Sequence, residues 1–151
     1  MGVGEICSRE VVFARRNESV AHAARLMREH HVGSVVVGDE RNGHVYPVGM
    51  VTDRDIAVGV VALGLDPEKR NVEGVMPAEV VCVRETDGLG RAVALMRAQG
   101  VRRLPVIDGA GALVGVLSAD DVLEILSEEL YCLSGMAARG ERFEREHRKA
   151  A

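Results

Sequence analysis

The chain has 151 residues, of which 47% are hydrophobic by type, enough for one compact domain or two small units that share a core. Aromatic residues make up only 3%, so we expect a core of Val, Leu, Ile, Ala and Met. The net charge of −4 and the lack of a basic run with interleaved aromatic residues argue against nucleic acid as the main partner.

No stretch approaches the roughly 18 apolar residues that span a membrane. Residues 1–10 lack the regions of a signal peptide, and Ile6 stands where N-myristoylation requires Ser or Thr. The three cysteines are odd in number and widely spaced, which favours free thiols in a reducing compartment. We therefore expect a soluble cytoplasmic protein with no membrane partner.

The first half of the chain predicts the order strand, helix, strand, strand, helix. A β-branched run at 10–13 predicts the first strand, and a helical apolar face follows over 19–31. Strands at 34–37 and 45–51 form a hairpin around a turn rich in Gly and Asn, and a helix then starts at Thr52. The apolar face of the first helix contains Val20, Ala23, Ala24 and Met27.

The second half predicts the same order after a linker at 64–71, in which Pro67 ends the preceding helix. The apolar face of its first helix contains Leu89, Val93 and Met96. The predicted elements are a strand at 79–83, a helix at 88–99, strands at 104–107 and 112–117, and a helix from Ser118 that runs on through 124–137.

The two halves are copies of one another. An offset of 69 pairs 11–39 with 80–108, with ten of 29 positions identical, and an offset of 66 pairs 48–57 with 114–123. Because a unit of about 60 residues buries little surface alone, we predict an α+β fold of two β-α-β-β-α repeats with pseudo-twofold symmetry. Their sheets pack together, helices lie outside, and equivalent clefts form where the copies meet.

The predicted tail is a solvated helix end or a frayed terminus, with a partner-binding or dimer-exchange helix as the alternative. Gly135 and Gly140 argue against one rigid helix throughout. The basic residues of the tail are Arg139, Arg142, Arg145, Arg148 and Lys149. The predicted boundaries are 5–66 for repeat 1, 67–74 for the linker, 75–130 for repeat 2 and 131–151 for the extension or tail.

A hydroxyl precedes an acid by three residues at both predicted helix starts, in Thr52 with Asp55 and in Ser118 with Asp121. Of the eight Ser and Thr residues in the chain, only these two have an acid at that spacing. One interpretation is a capping box, in which hydroxyl and carboxylate satisfy backbone N–H groups. Asp is shorter than the usual Glu or Gln partner, which argues for a role beyond capping.

The same arrangement suits a nucleotide. A helix N-terminus attracts anions, a hydroxyl adds a donor for phosphate, and a carboxylate accepts two hydrogen bonds from a ribose diol. Gly49 and Gly115 lie just before the two pairs and would let a planar base approach the backbone. Cap and ligand site both remain open on these grounds.

The paired stretches VGMVTDRDIA at 48–57 and VGVLSADDVL at 114–123 resemble the signature of CBS domains (cystathionine β-synthase-type), which occur as tandem pairs called Bateman modules. VGSVVVGD and VRRLPVID match the family's preceding strand, and ARLMREHHV and VALMRAQGV match its first helix. The resemblance covers about residues 5–130. No catalytic domain accompanies the copies, so the chain is similar to a stand-alone CBS pair.

The resemblance implies a non-catalytic module that binds an adenosyl ligand (AMP, ADP, ATP, S-adenosylmethionine or NAD) in one or two clefts between the repeats. It implies neither an obligatory cofactor nor a metal. Asp55 and Asp121 would bind ribose hydroxyls, and Thr52 and Ser118 would bind phosphate. Together with the two glycines, the full set of candidate ligand-binding residues is Gly49, Thr52, Asp53, Arg54, Asp55, Arg102, Arg103, Gly115, Ser118, Asp120 and Asp121.

The two copies differ in charge at these positions. Arg102-Arg103 stands where many relatives place basic residues toward phosphate, whereas the first copy has Gly33-Ser34 there. Arg54 of the first copy corresponds to Asp120 of the second. We therefore expect two unequal clefts. The alternative for the two arginines is that they are solvated surface residues before a strand.

The resemblance also implies a homodimer and a regulated partner protein, which the sequence does not identify. Apolar helix positions exceed what one buried face needs, and such a surplus often marks an interface. An alternative function is a ligand-free structural dimerisation module in which the Ser/Thr-Asp pairs are only caps. A nucleotide-processing enzyme is disfavoured, because no nucleophile, metal cluster or base–acid pair is evident. The surplus apolar positions are Ile56, Val60, Val61, Leu123 and Leu126.

Overall fold

The computed structural model describes residues 1–148, and no helix within that range is long and apolar enough to cross a membrane. Lys149 and the end of the predicted extension 131–151 lie outside the described residues.

Each repeat has the predicted order of elements. A short helix α1 (Val3–Ile6) precedes the first repeat, and a 3-10 turn (Val72–Gly74) precedes the second. The first repeat consists of β1 (Phe13–Ala14), α2 (Val20–His30), β2 (Ser34–Arg41), β3 (His44–Thr52) and α3 (Asp53–Ile56), which continues as a π-helix (Ala57–Val61). The second repeat consists of β4 (Val83–Arg84), α4 (Leu89–Gln99), β5 (Arg103–Ile107), β6 (Leu113–Ser118) and α5 (Ala119–Arg148).

The two three-stranded sheets are built alike. Strand order is β1-β2-β3 in one and β4-β5-β6 in the other, with the first pair parallel and the second antiparallel. Even the register irregularity recurs, between Val37 and Gly38 in β2 and between Val106 and Ile107 in β5. The sheets approach one another through β3 and β6. The predicted α+β fold of two related repeats is confirmed.

Each repeat has its own core, but each core includes a residue from the segment that precedes the other repeat. Val3 is fully buried in the core of repeat 2, and Val72 is fully buried in the core of repeat 1. The Val3 N–H donates to the Asp87 carbonyl at 2.8 Å, and the Val72 N–H donates to the equivalent Glu18 carbonyl at 3.0 Å. The leading segments are therefore exchanged between the repeats.

Three details of the prediction were wrong. The first strands, β1 and β4, have only two residues each and overlap the predicted ranges 10–13 and 79–83 only at Phe13 and Val83. On the first helices, Ala24 and Val93 are exposed, whereas Met27 and Met96 are buried as predicted.

The third correction concerns the tail. α5 is a single helix of 30 residues that passes through Gly135 and Gly140. Glycine costs a helix only about 1 kcal/mol relative to alanine, and neighbouring helix formers such as Ala, Leu, Glu and Arg offset that cost. Arg148 also approaches Glu144 one turn earlier, at 3.9 Å. The two glycines therefore do not interrupt the helix.

The end of α2 offers a test of backbone strain. His31 ends this helix with φ 53°, and its N–H donates to the Met27 carbonyl. Gly100 ends α4 in the same way with φ 66°, and its N–H donates to Met96. Because a side chain disfavours this conformation, we expect His31→Gly to raise the free energy of unfolding by about 0.5–1 kcal/mol in urea denaturation. His30→Gly, inside the helix, is the control and should lower it; equal effects of the two changes would contradict the explanation.

Candidate functional site

Both hydroxyl–acid pairs form complete capping boxes. In repeat 1, the Asp55 N–H donates to Thr52 Oγ1 at 3.1 Å, and the Thr52 N–H donates to Asp55 Oδ2 at 2.9 Å. In repeat 2, the Asp121 N–H donates to Ser118 Oγ at 3.1 Å, and the Ser118 N–H donates to Asp121 Oδ2 at 2.8 Å. The half-buried Asp carboxylates close both boxes, so the shorter side chain is not by itself evidence for a role beyond capping.

The capping box uses only part of each polar group. In residues 1–148, Asp55 Oδ2 accepts the bond from Thr52, and Asp55 Oδ1 accepts no hydrogen bond. The Thr52 hydroxyl accepts one bond and donates none within the same range. One carboxylate oxygen and one hydroxyl proton are thus available to a ligand without loss of the cap.

A cleft of about 660 Å³ lies where the two repeats meet. Thr52–Asp55 of repeat 1 line one side, Gly100–Arg103 of repeat 2 line another, and the chain leading into repeat 2 passes along it. The volume lies within the range of small-ligand sites. The lining residues are Gly33, Met50, Thr52, Asp53, Arg54, Asp55, Pro77, Glu79, Val80, Val81, Gly100, Val101, Arg102, Arg103, Pro105 and Asp120.

The cleft brings together seven of the eleven candidate ligand-binding residues and leaves out four. Gly49, Gly115, Ser118 and Asp121 do not line it. Seven residues do: Thr52, Asp53, Arg54, Asp55, Arg102, Arg103 and Asp120.

Gly49 and Gly115 have a packing role in this structure. A side chain at Gly49 would collide with the sulfur of Met76, and one at Gly115 would lie 2.6 Å from the Cys7 sulfur. Met76 and Cys7 belong to the exchanged leading segments at equivalent positions. The space expected for a planar base is thus filled by these side chains, and the glycines permit the exchange of segments.

Sequence reasoning missed one wall of the cleft, the segment Pro77–Val81. The Ser8 N–H donates to the Val116 carbonyl at 3.0 Å, and the Val116 N–H donates back to Ser8 at 2.9 Å. Pro77 and Met50 occupy the equivalent places, and proline has no N–H to donate. Without the paired backbone bonds, Met50 lines the cleft on the repeat 1 side. Aligning the two copies by their offset would have shown that Pro77 stands where the other copy has Ser8.

The charges of the cleft are unevenly paired. Arg102 Nη2 lies 3.1 Å from Asp120 Oδ1, and both side chains are exposed. Within residues 1–148, neither Arg54 nor Arg103 has a carboxylate oxygen within 4.0 Å. Gly33 lies beside both an acid and a guanidinium, since a Cβ at this position would lie 3.3 Å from Asp53 Oδ2 and 3.8 Å from Arg103 Nη1. Two guanidinium groups in the cleft thus lack a carboxylate partner.

Burial disfavours the reactive thiolate form of two cysteines. Burial raises the pKa of Cys7, an effect that nearby Arg9 partly opposes, and burial raises the pKa of Cys82 to about 11. All three cysteines are free. Residues 1–148 hold no group of three His, Cys, Asp or Glu side chains arranged to bind a metal ion.

The fold and the cleft define a class of protein: two α+β repeats that exchange their leading segments, with a cleft at their junction. The CBS domain model matches residues 3–61 and 72–128, and the chain belongs to this family as a tandem pair of CBS repeats. The recognition from the paired motifs is confirmed.

Three similar proteins illustrate the sequence and structural similarity of this chain to known proteins. An uncharacterised protein of Methanopyrus kandleri is 33% identical over 146 residues, 97% of this chain and 71% of its own length. A putative signal-transduction protein with CBS domains from Burkholderia ambifaria has a TM-score of 0.74 and 30% identity over 83% of this chain and 93% of its own. The CBS domain pair of protein MJ0100, in complex with 5′-methylthioadenosine and S-adenosyl-L-methionine, has a TM-score of 0.75 and 23% identity over 85% of this chain and 98% of its own.

The capping box of repeat 2 can be tested for stability apart from the cleft, because Ser118 does not line it. Ser118→Ala leaves the Asp121 N–H without its acceptor, so we expect the free energy of unfolding to fall by about 1 kcal/mol. Ser127→Ala, at an exposed position in the same helix, is the matched control and should have little effect. Urea denaturation of the ligand-free protein measures both, and equal stability of the two variants would contradict the capping role.

Proposed function

We propose that the chain is a non-catalytic regulatory module that binds an adenosyl ligand between its two repeats and transmits binding to a partner protein. The ligand class is AMP, ADP, ATP, S-adenosylmethionine or NAD. The observation that carries the proposal is the cleft in which Thr52 and Asp55 of one repeat lie opposite Arg103 of the other. The free cysteines support a cytoplasmic location.

The available atoms suggest how the ligand lies. The unpaired Asp55 Oδ1 accepts hydrogen bonds from ribose hydroxyls, while the Thr52 hydroxyl donates to a phosphate oxygen. Arg54 and Arg103, which have no carboxylate partner within the described range, supply positive charge to the phosphate. Each of these atoms is additional to the ones that the capping box uses.

The adenine base needs an apolar surface, and the cleft supplies one away from Gly49. Met50 and Pro105 come from the two sheets, and Val80, Val81 and Val101 lie beside them. Apolar walls with a few polar groups are typical of small-molecule sites. We place the base against these side chains.

We also propose a second ligand position at Ser118 and Asp121. Its capping box matches that of Thr52 and Asp55. However, the paired backbone bonds between Ser8 and Val116 hold the leading segment against β6 on that side. We therefore expect the Thr52 side to bind first.

Calorimetry with AMP, ATP, S-adenosylmethionine and NAD tests the proposal. Asp55→Asn keeps an oxygen for the cap but loses the charged acceptor for ribose, so we expect affinity to fall about tenfold or more with stability nearly unchanged. Asp121→Asn reports on the second position, and Asp87→Asn, a turn carboxylate away from the cleft, is the control. Failure of all four compounds to bind below millimolar concentration would reject ligand sensing.

That rejection would leave the second candidate, a ligand-free structural dimerisation module. The capping role of both hydroxyl–acid pairs favours it, as do exposed apolar side chains on the outer helices. Val61, Leu123 and Leu126 are 67%, 62% and 46% exposed, whereas Val60 is buried in the core and Ile56 packs against it. Val60 and Ile56 therefore do not belong to the surplus apolar surface expected from the sequence.

We propose that both candidates share a homodimer formed through exposed apolar side chains that include Val61 and Leu123. Val61→Glu with Leu123→Glu places two charges in this contact, so light scattering after gel filtration should show a shift from twice the chain mass to 16.2 kDa. Met136→Glu, on the distal part of α5, is the control and should leave the dimer intact. Dissociation by Met136→Glu alone would place the interface in the extension and overturn this assignment.

A further inference from the structure

We propose that Asp120 makes the cleft discriminate against polyphosphates, so that it selects AMP over ATP by charge. This inference rests on the proposed adenosyl site and specifies its ligand. It concerns Arg102 and Asp120, whose ion pair lies in the cleft beside the residues assigned to ligand binding.

The cleft contains both members of two equivalent pairs. Gly33 and Arg102 match by an offset of 69, and Arg54 and Asp120 match by an offset of 66, and all four line the same space. The charge reversal between Arg54 and Asp120 therefore occurs within one site instead of separating two sites. A ligand that fills the cleft meets both charges.

The charges that line the cleft have an excess of carboxylates. Its four carboxylates exceed its three guanidinium groups by one, because Asp120 stands where repeat 1 has an arginine. The carboxylates are Asp53, Asp55, Glu79 and Asp120, and the guanidinium groups are Arg54, Arg102 and Arg103. Since like charges repel at short range, each phosphate beyond the first enters an increasingly unfavourable field.

The ion pair strengthens this effect by occupying a cation. Arg102 Nη2 lies 3.1 Å from Asp120 Oδ1 in an exposed ion pair, so Arg54 and Arg103 are the guanidinium groups of the cleft that can bind phosphate without competition from a carboxylate within residues 1–148. A single phosphate suffices to engage those two side chains. A β- or γ-phosphate must displace Asp120 from Arg102 or lie beside its carboxylate, whereas AMP leaves the ion pair intact.

Calorimetry at pH 7.5 without magnesium compares AMP with ATP. We expect the wild-type chain to bind AMP at least about tenfold more tightly than ATP. In Asp120→Asn the carboxylate is lost and Arg102 is released, so the ratio of the two dissociation constants should fall about fivefold, mainly through tighter ATP binding. Glu124→Gln, an exposed carboxylate one turn along α5 and outside the cleft, is the matched control and should leave the ratio unchanged.

Arg102→Gln in the Asp120→Asn background tests the cause. The gain in ATP affinity should disappear in the double variant, because it requires the released guanidinium. An unchanged ratio in Asp120→Asn, an equal change in Glu124→Gln, or a gain that persists without Arg102 each overturns the inference. If the wild-type chain binds AMP and any of these results is found, this inference fails and the proposed function stands. If AMP, ATP, S-adenosylmethionine and NAD all fail to bind, the inference and the proposed function are both rejected.

Discussion

Val3 and Val72 join the two repeats, because each is buried in the core of the repeat that it does not precede. Burial of a valine side chain contributes about 1.5–2 kcal/mol, and each also brings equivalent backbone hydrogen bonds to the turn before α2 or α4. Neither repeat has a complete core without the chain that leads into the other. The relative placement of the sheets, and hence of the cleft between them, follows from this exchange.

The exchange also determines which chain segment borders the cleft. After Val72 and Met76 have packed onto repeat 1, the chain continues as Pro77–Val81 past β3. Proline cannot donate the backbone bond that Ser8 donates to Val116 on the other side. Two repeats with the same order of elements therefore produce unequal surroundings at their two helix starts. The difference between the two sides arises from Ser8 and Pro77 as well as from the charges of Arg54 and Asp120.

The sequence predicts well those features that depend on local pattern or on the repeat itself. Both hairpins and both capped helix starts follow from runs of a few residues, and the offset between the copies implies the pseudo-twofold. The exchange of Val3 and Val72 was not predictable, since nothing near these residues indicates which core receives them. The same holds for Gly49, whose neighbour Met76 arrives only through that exchange. Val60 is buried whereas Val61 is exposed, and the π-helical segment that contains both changes the spacing on which the predicted face relied.

The repeated hydroxyl–acid spacing does not by itself distinguish a cap from a ligand site, because the two roles use different atoms of Asp55. Oδ2 closes the capping box, and Oδ1 has no partner within residues 1–148. Ser118 and Asp121 have the same hydrogen bonds but do not line the cleft. What separates the two pairs is therefore their surroundings. A short motif at a helix start specifies local structure, and the residues that the other repeat places opposite it determine which charges a ligand would meet.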